Sequence, residues 1–458
     1  MTGTRLSPPP VSAGVEPSGR LALGLGPRTF VLLAAGLLWL VPAWHDRRAI
    51  LGLLLWDTAV LAAVLLDVRR MPSPRDLTST RRWPGPLTLG VPGQVSLDIR
   101  NGGAVAIDVR ATDHVPGALR IELPDMRCPV RSRGTAEASY TIEPAARGDA
   151  VVGPAVLSWL SPWRLAERRG IARLVQTVRV YPDLSEGRRE SLYLIRSRQV
   201  VIEKRRARRL GLGREFESLR DHQPGDEPRD ICWTAAARRG RLVTKVYQPE
   251  RSQAVWILVD AGRLQRARAG RHTMLDHAVT GALTLAQVAM ASGDKVGLLA
   301  YGRRPQHRLA PSRGGMHLRA LTEALASVRG EASEADHAGA AAELLRLQKR
   351  RGLIVWLTEV AETAGTPDVI EHTMTLVPRH VVLFAVMRHP DIPALAAAAP
   401  RDSREMYRVM AAQEVMERRE ALLLTLRQRG ALVVEASPAE LGSGLIDRYL
   451  EVKERALL

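Results

Sequence analysis

The chain has only two cysteines in 458 residues, Cys128 and Cys232, with no CxxC pair and no histidine at metal-ligand spacing beside either. That leaves no basis for a disulfide framework or a structural zinc site, and it agrees with a reducing compartment. Aromatic residues make up 4% of the chain, which is poor material for the stacking platforms that hold nucleic acid. No P-loop GxxxxGK[ST], HExxH or GxSxG occurs, and Gly211-Leu212-Gly213 is not followed by a helix with apolar spacing. Enzyme chemistry therefore has no motif to stand on. The formal charge of +18 is spread through every segment. A basic body lying beside an anionic inner leaflet explains it more simply than nucleic-acid binding does.

Long apolar runs, by contrast, dominate the start. Thr29 to Trp44 and Ala49 to Leu66 are separated only by His45-Asp46-Arg47-Arg48. As helices they would extend roughly 24 to 27 Å, slightly under a hydrocarbon core of about 30 Å. Val41-Pro42-Ala43 is a poor cleavage site and a second run follows at once, so residues 28–68 read as a retained two-helix transmembrane hairpin (29–44 and 49–66). Arg5, Arg20 and Arg28 upstream, with Arg69, Arg70, Arg75, Arg81 and Arg82 downstream, outnumber Arg47 and Arg48 in the turn. This orients the N-terminus and the main body to the cytoplasmic face of a multi-pass cell-membrane protein. Asp57 is an intramembrane polar residue near the middle of the second span, where an ionised carboxylate is costly. It reads as a protonated or hydrogen-bonded group packed against the first span or another subunit, and one carboxylate in two helices builds no ion pathway.

Residues 1–27, with Pro8-Pro9-Pro10, read as a disordered cytoplasmic lead. From 69 to 185 the texture is short alternating runs: 87–89, Gln94 to Arg100, Ala104 to Ala111, Leu119 to Leu123, Ala136 to Ile142, Val151 to Trp159 and Leu174 to Val180. Turn residues cut them at the spacing of an all-β, immunoglobulin-like sandwich. Residues 186–253 are basic and punctuated by Gly and Pro. From 254 to 458 apolar strands (Val255 to Val259, Lys295 to Tyr301, Leu353 to Leu357, Val381 to Met387, Ala431 to Glu435) alternate with amphipathic helices. That pattern gives an α/β doubly wound, mainly parallel sheet, with ligands expected beyond the carboxyl ends of the strands.

The most distinctive string is Gly213-Arg214-Glu215-Phe216-Glu217-Ser218-Leu219-Arg220, followed by Pro224-Gly225-Asp226-Glu227-Pro228-Arg229, Ile231-Cys232-Trp233 and Ala237-Arg238. It resembles the signature of the bacterial family called domain of unknown function 58. The likeness extends through the strand ending at Asp260 to Thr358-Glu359 and to Arg448-Tyr449-Leu450, and covers nearly the whole chain after residue 28. The resemblance implies a von Willebrand factor A-like fold for the last domain and occurrence beside MoxR-type AAA+ ATPases. Physically, the Pro-Gly turn forces a sharp change of direction. The interleaved Arg and acidic residues suit carboxylate–guanidinium forks, and Trp233 would anchor the segment by burying its ring. Arg220, Pro224, Gly225, Asp226, Pro228, Arg229, Trp233 and Arg238 form either a docking surface for a partner or a clasp that fastens the linker to the α/β domain. A Cys/His nucleophile from Asp221, His222 and Cys232 is set aside, because the resembled family carries other residues at the last two positions.

A von Willebrand A domain holds Mg²⁺ through Asp-x-Ser-x-Ser at its first strand. Here the sequence is Asp260-Ala261-Gly262-Arg263-Leu264, without either serine oxygen and with an added cation. Asp260, Thr358 and Glu359 thus make a degenerate cage for a hard cation that wants several oxygens, and no cofactor is expected. The resulting expectation is a non-enzymatic, membrane-anchored scaffold that binds protein partners through the von Willebrand A-like domain, with a MoxR-type ATPase as partner and no small-molecule substrate or nucleic acid. The alternatives are a membrane-bound hydrolase with an unrecognised site and an extracytoplasmic cell-envelope protein.

Overall fold

Alternating apolar and polar residues build the first part of the chain into antiparallel strands, and continuous apolar runs build the last part into a parallel sheet buried on both faces. A computed structural model describes residues 7–19, 22–43, 49–183, 215–224, 226–248, 252–359, 366–389, 391–455 and 457. Two compact units divide it, Met1–Tyr181 and Pro182–Leu458.

In the first unit, β1 (Val11–Pro17) and β2 (Leu23–Leu25) precede three helical segments, α1 (Pro27–Gly36), α2 (Leu40–Ala43) and α3 (Ala49–Arg70). After them come β3 (Leu77–Arg82), β4 (Leu87–Thr88), β5 (Gly93–Asn101), β6 (Ile107–Asp113), β7 (Asp125–Val130), β8 (Thr135–Ile142), β9 (Gly148–Val152), β10 (Ala155–Leu160), β11 (Ala166–Ala172) and β12 (Gln176–Tyr181). One sheet has the order β7-β6-β10-β11-β1-β3-β5-β8, with β2 also on β11; a second has the order β4-β12-β9.

The lead is a correction to the sequence reading. Residues 11–17 are a strand, not part of a disordered arm: Val11 to Gly14 pair antiparallel with β3, and Val15 to Pro17 pair with β11. Val15 is buried in the core. The strand forms because two partner edges flank it, and both lie in sequence beyond the apolar helices. Leu119 to Leu123 is likewise no strand. Leu119 is a fully buried plug in a turn, its N–H donating to the Pro116 carbonyl, and the strand starts only after Pro124. Val151 to Trp159 is two strands broken at Gly153-Pro154, β9 joining β12 and β10 joining β6 and β11.

Among the described residues, 50–76 contains the one helix long and apolar enough to cross a membrane, with a mean hydropathy of 2.0; the other apolar helical stretch, Pro27–Trp39, is shorter. The two pack antiparallel. Trp56 Nε1 donates to the Leu32 carbonyl at 2.9 Å, and Gly36 and Gly52 admit the rings of Trp56 and Trp39 so closely that an added Cβ would lie 2.7 Å from each. Asp57 is half-buried, with Oδ1 on the Gly36 side of this contact. Both helices end on one turn, Ser161 to Leu165, between β10 and β11. At the start of α1, Thr29 Oγ1 donates to the Leu165 carbonyl at 2.5 Å. At the end of α3, the fully buried Asp67 accepts from the N–H groups of Trp163 and Leu165 at 3.1 and 3.2 Å.

A buried ion pair ties the sandwich-like region together. Arg81 of β3, inaccessible to solvent, pairs with Asp113 of β6 and donates to the carbonyls of Leu174 (2.6 Å) and Gly153 (2.9 Å). Tyr140 of β8 donates to Asp113 Oδ2 at 2.7 Å. Every partner is satisfied, which is what allows a charge to sit there.

The second unit opens with a hairpin, β13 (Glu215–Asp221) and β14 (Val243–Gln248), with α4 (Trp233–Arg239) between them. Its main sheet contains β15 (Ala254–Asp260), β18 (Lys295–Tyr301), β19 (Pro305–Ser312), β20 (Leu353–Leu357), β21 (Val381–Met387) and β22 (Leu432–Ala436), the short β16 (Arg268–Ala269) and β17 (His272–Thr273) pairing separately. The order β19-β18-β15-β20-β21-β22 is parallel except for β19. Helices α5 (Met274–Ala291), α6 (Gly315–Ser327) and α11 (Leu441–Glu454) pack with Val255, Ile257 and Val259 on one face. On the other, α7 (His337–Leu347), α8 (Thr366–Leu376) and α10 (Ser403–Gln428) pack with Trp256 and Leu258; α9 (Asp391–Ala396) precedes α10. Because the chain leaves β15 first toward β18 and later toward β20, the order reverses between β15 and β20, where such sheets open a crevice.

The Arg81 cluster yields a stability prediction. Asp113→Asn leaves the guanidinium buried without its counter-charge and is expected to cost about 3–5 kcal/mol. The check is urea unfolding of the full chain in detergent, where a midpoint equal to that of the wild type would contradict it.

Candidate functional site

The reversal point brings together the side chains at the ends of two neighbouring strands. Asp260 is the last residue of β15, and Thr358 immediately follows β20. Both are almost inaccessible. Asp260 Oδ2 accepts from Thr358 Oγ1 at 2.8 Å, while Oδ1 accepts from the Gly262 N–H at 2.7 Å. Burial raises the Asp260 carboxyl above its ordinary range, opposed by neighbouring His337 and by these two donors. Beside it a chain of buried rings supports the tip. Trp356 Nε1 donates to Tyr301 Oη at 2.6 Å, Tyr301 Oη meets His337 Nδ1 at 2.9 Å, and Trp356 stacks on Phe384. Burial, and secondarily Asp260, push the Tyr301 hydroxyl far above its usual range.

Glu359 turns away from Asp260 in its bonding: its carboxylate pairs with Arg419 of α10 at 2.6 Å, and the same guanidinium donates to the Met387 carbonyl at 2.7 Å. Arg263 does not face Asp260 either, but forms an ion pair with Glu334 at 2.6 Å. The donor set does not fit Mg²⁺. Both Asp260 oxygens already accept hydrogen bonds, Gly262 and Leu264 offer no side-chain oxygen, and a guanidinium occupies the Glu359 carboxylate, whereas Mg²⁺ demands six oxygens in near-ideal geometry. Sequence reasoning named Asp260, Thr358 and Glu359; it missed Arg419, for which no local motif exists.

From Glu215 onward the signature string folds as the β13–β14 hairpin with its insertion; Gly213 and Arg214 lie outside the described residues. Arg220 pairs with Asp226 at 2.5 Å, whose carboxyl is held below its ordinary value first by the Gln223 N–H and then by Arg220. Arg229 pairs with Glu227, and Arg241 with Asp221 at 2.8 Å. These forks close within the segment. Pro228 opens a 3₁₀ turn, and Gly240, at φ +66°, ends α4 in the left-handed conformation that glycine accepts at little cost. Trp233 is a correction. It opens α4 with its side chain 66% exposed and anchors nothing. Pro224, Arg229 and Arg238 are exposed as well, and Gly225 lies outside the described residues. Asp221, His222 and Cys232 do not assemble: Asp221 is held by Arg241, His222 Nδ1 meets Thr244 Oγ1 at 2.9 Å, and the Cys232 N–H donates to the Val243 carbonyl.

Residues 218–419 match the family described as Protein of unknown function DUF58. The matched stretch runs from within β13 to Arg419, so it contains most of the hairpin and the strand-tip residues. No curated protein matches the chain. Solved structures that are similar over short stretches include a PapD-like domain of human CEP192, 13% identical over 22% of this chain and 84% of that one, with a TM-score of 0.17. Red sea bream transglutaminase is 15% identical over 23% of this chain and 19% of its own, with a TM-score of 0.17. The CARDB domain of a Pyrococcus furiosus protein, in complex with di-metal ions, is 8% identical over 22% and 83%, with a TM-score of 0.15. Likeness at this level carries no argument about fold or function.

The raised Asp260 carboxyl has a definite pH consequence. Its stabilising contribution is complete below the unfolded value near 3.8 and is lost as the pH rises through the folded value. Asp260→Asn keeps an acceptor for Gly262 and a donor toward the Thr358 hydroxyl. It is therefore expected to be at least as stable as the wild type near neutral pH and to remove that loss. Asp260→Ala orphans both donors and is expected to cost about 1–3 kcal/mol. Thermal unfolding of both variants from about pH 4 to about pH 7 checks this, and an Asn variant as unstable as the Ala variant would refute it.

Proposed function

We propose that this chain is a member of the DUF58 family and a membrane-anchored, non-enzymatic adaptor that binds a protein partner through its second unit, which we read as von Willebrand A-like. The observation that carries the partner-binding reading is Trp233. A tryptophan 66% exposed, flanked by the exposed Arg229 and Arg238, combines two of the residue types most enriched among binding hot spots. The surrounding forks are internally closed, so this ring is not needed to hold the hairpin together.

The anchor reading is supported by the apolar helices. Their outward side chains include Phe30, Val31, Leu38, Leu51, Leu55 and Leu61, all exposed, a surface that water does not tolerate over such an area. The strands before and after the helices share one sheet, which supports a reading with both flanks on one side of the bilayer. The arginines at that end favour the cytoplasmic side in this reading. The resemblance of the signature supplies the partner, a MoxR-type AAA+ ATPase.

The test is co-purification from native membranes in mild detergent with that ATPase identified by mass spectrometry. Trp233→Ala together with Arg238→Glu is expected to lower recovery about tenfold or more, with an unchanged unfolding midpoint because both side chains are exposed. Equal recovery of the ATPase with variant and wild type would overturn the reading.

A further inference from the structure

The turn on which both apolar helices end does more than join them to the sheet. Trp163, at its tip, is 41% exposed. The Arg70 guanidinium lies over its ring at 4.7 Å, and Arg28 Nη1 donates to its carbonyl at 3.3 Å. Arg164 follows at φ +62°, a left-handed conformation that costs a non-glycine residue roughly 1–2 kcal/mol. A glycine would hold this turn more easily, so the arginine is kept at a conformational cost. Beside the turn, β2 exposes Leu23 and Leu25 on the edge of β11.

Arg28, Arg69, Arg70 and Arg164 are all exposed, and among the described residues none has a carboxylate partner. Four unpaired guanidinium groups, an amphipathic indole and two exposed leucines are thus gathered where the apolar helix surface meets the polar sheet. Indole rings favour the headgroup level of a bilayer, and arginines there meet lipid phosphates. We propose that the Trp163–Arg164 turn is a membrane-interface seat, in which these four arginines bind the phosphate groups of anionic phospholipids and hold the first unit against the bilayer surface. The proposal rests on the membrane-anchor reading above. It adds a lipid class and the residues that select it, since a guanidinium pairs bidentately with phosphate whereas zwitterionic headgroups carry their own counter-charge.

The experiment reconstitutes the full chain into vesicles of mixed phosphatidylglycerol and phosphatidylcholine, extracts it with its bound lipid and quantifies both lipids. The wild type is expected to retain phosphatidylglycerol over phosphatidylcholine by about fivefold or more, a preference that falls as salt rises. The variant R28Q/R69Q/R70Q/R164Q is expected to lose the preference, and the matching four-lysine variant to keep most of it, which separates loss of charge from loss of fold. A chain that floats with the vesicles but shows no preference, or whose glutamine variant keeps the wild-type preference, overturns the seat and leaves the anchor standing. A chain that carbonate washing strips from the vesicles overturns the anchor itself.

Discussion

The pairing of β1 with β3 and β11 is the constraint on which the first unit depends. Residues 11–17 come before the apolar helices, and both of their partner strands come after. A sheet of this kind cannot close until the chain has passed through both helices and returned. The hydrogen bonds of Thr29 and Asp67 repeat the constraint at the helix ends, because the start of α1 and the end of α3 grip the same turn. If the longer helix spans a bilayer, the shorter stretch must bring the chain back across it. A single crossing would leave β1 and β3 on opposite sides, with the backbone groups that now pair left without partners. The proposed hairpin thus draws on sheet topology as well as on hydropathy, which by itself qualifies only the stretch 50–76 among the described residues.

At the other end of the chain the governing constraint is charge compensation. The reversal between β15 and β20 creates a place where polar groups converge, and a bound cation is one way to neutralise carboxylates there. This chain uses arginines instead. Arg419 neutralises Glu359, Arg263 neutralises Glu334, and Asp260 is left to a hydroxyl and a backbone N–H with its ionisation made costly by burial. A guanidinium presents fixed, directional donors where a metal would present open coordination positions. The donors at the tip therefore do not suit the ligand-completing role that a half-coordinated ion would play.

How much of this was legible in the sequence depended on how local each cause is. The parallel strands β15, β18, β20 and β21 were read almost to the residue, because burial on both faces leaves unbroken apolar runs. Asp260 and Thr358 could be paired in advance, since each ends a recognisable strand. Two of the strands that were missed offend the hydrophobic pattern for a physical reason: β3 carries the buried Arg81, made tolerable by Asp113 from another strand, and β19 is an exposed edge carrying Pro305 and Pro311. β1 was hidden because its short alternation has no meaning until distant edges flank it. Trp233 was misjudged because a large ring is expected to find a core, and nothing nearby in sequence shows whether one is within reach.

The arginines divide along the same line. In the hairpin Asp221, Asp226 and Glu227, and near the strand tip Glu334 and Glu359, each have a guanidinium fitted to them, and those arginines are structural in the sense that removing one would expose an uncompensated acid. At the ends of the apolar helices, Arg28, Arg69, Arg70 and Arg164 have no such partner among the described residues, and Asp67, close by in sequence to two of them, is fully buried and engaged by two backbone N–H groups. These four lie together beside the chain's most apolar surface. Self-repulsion among them is a cost that folding alone does not offset. A layer of fixed negative charge outside the protein does offset it, and a bilayer surface is the one such layer that the neighbouring helices themselves would bring within reach.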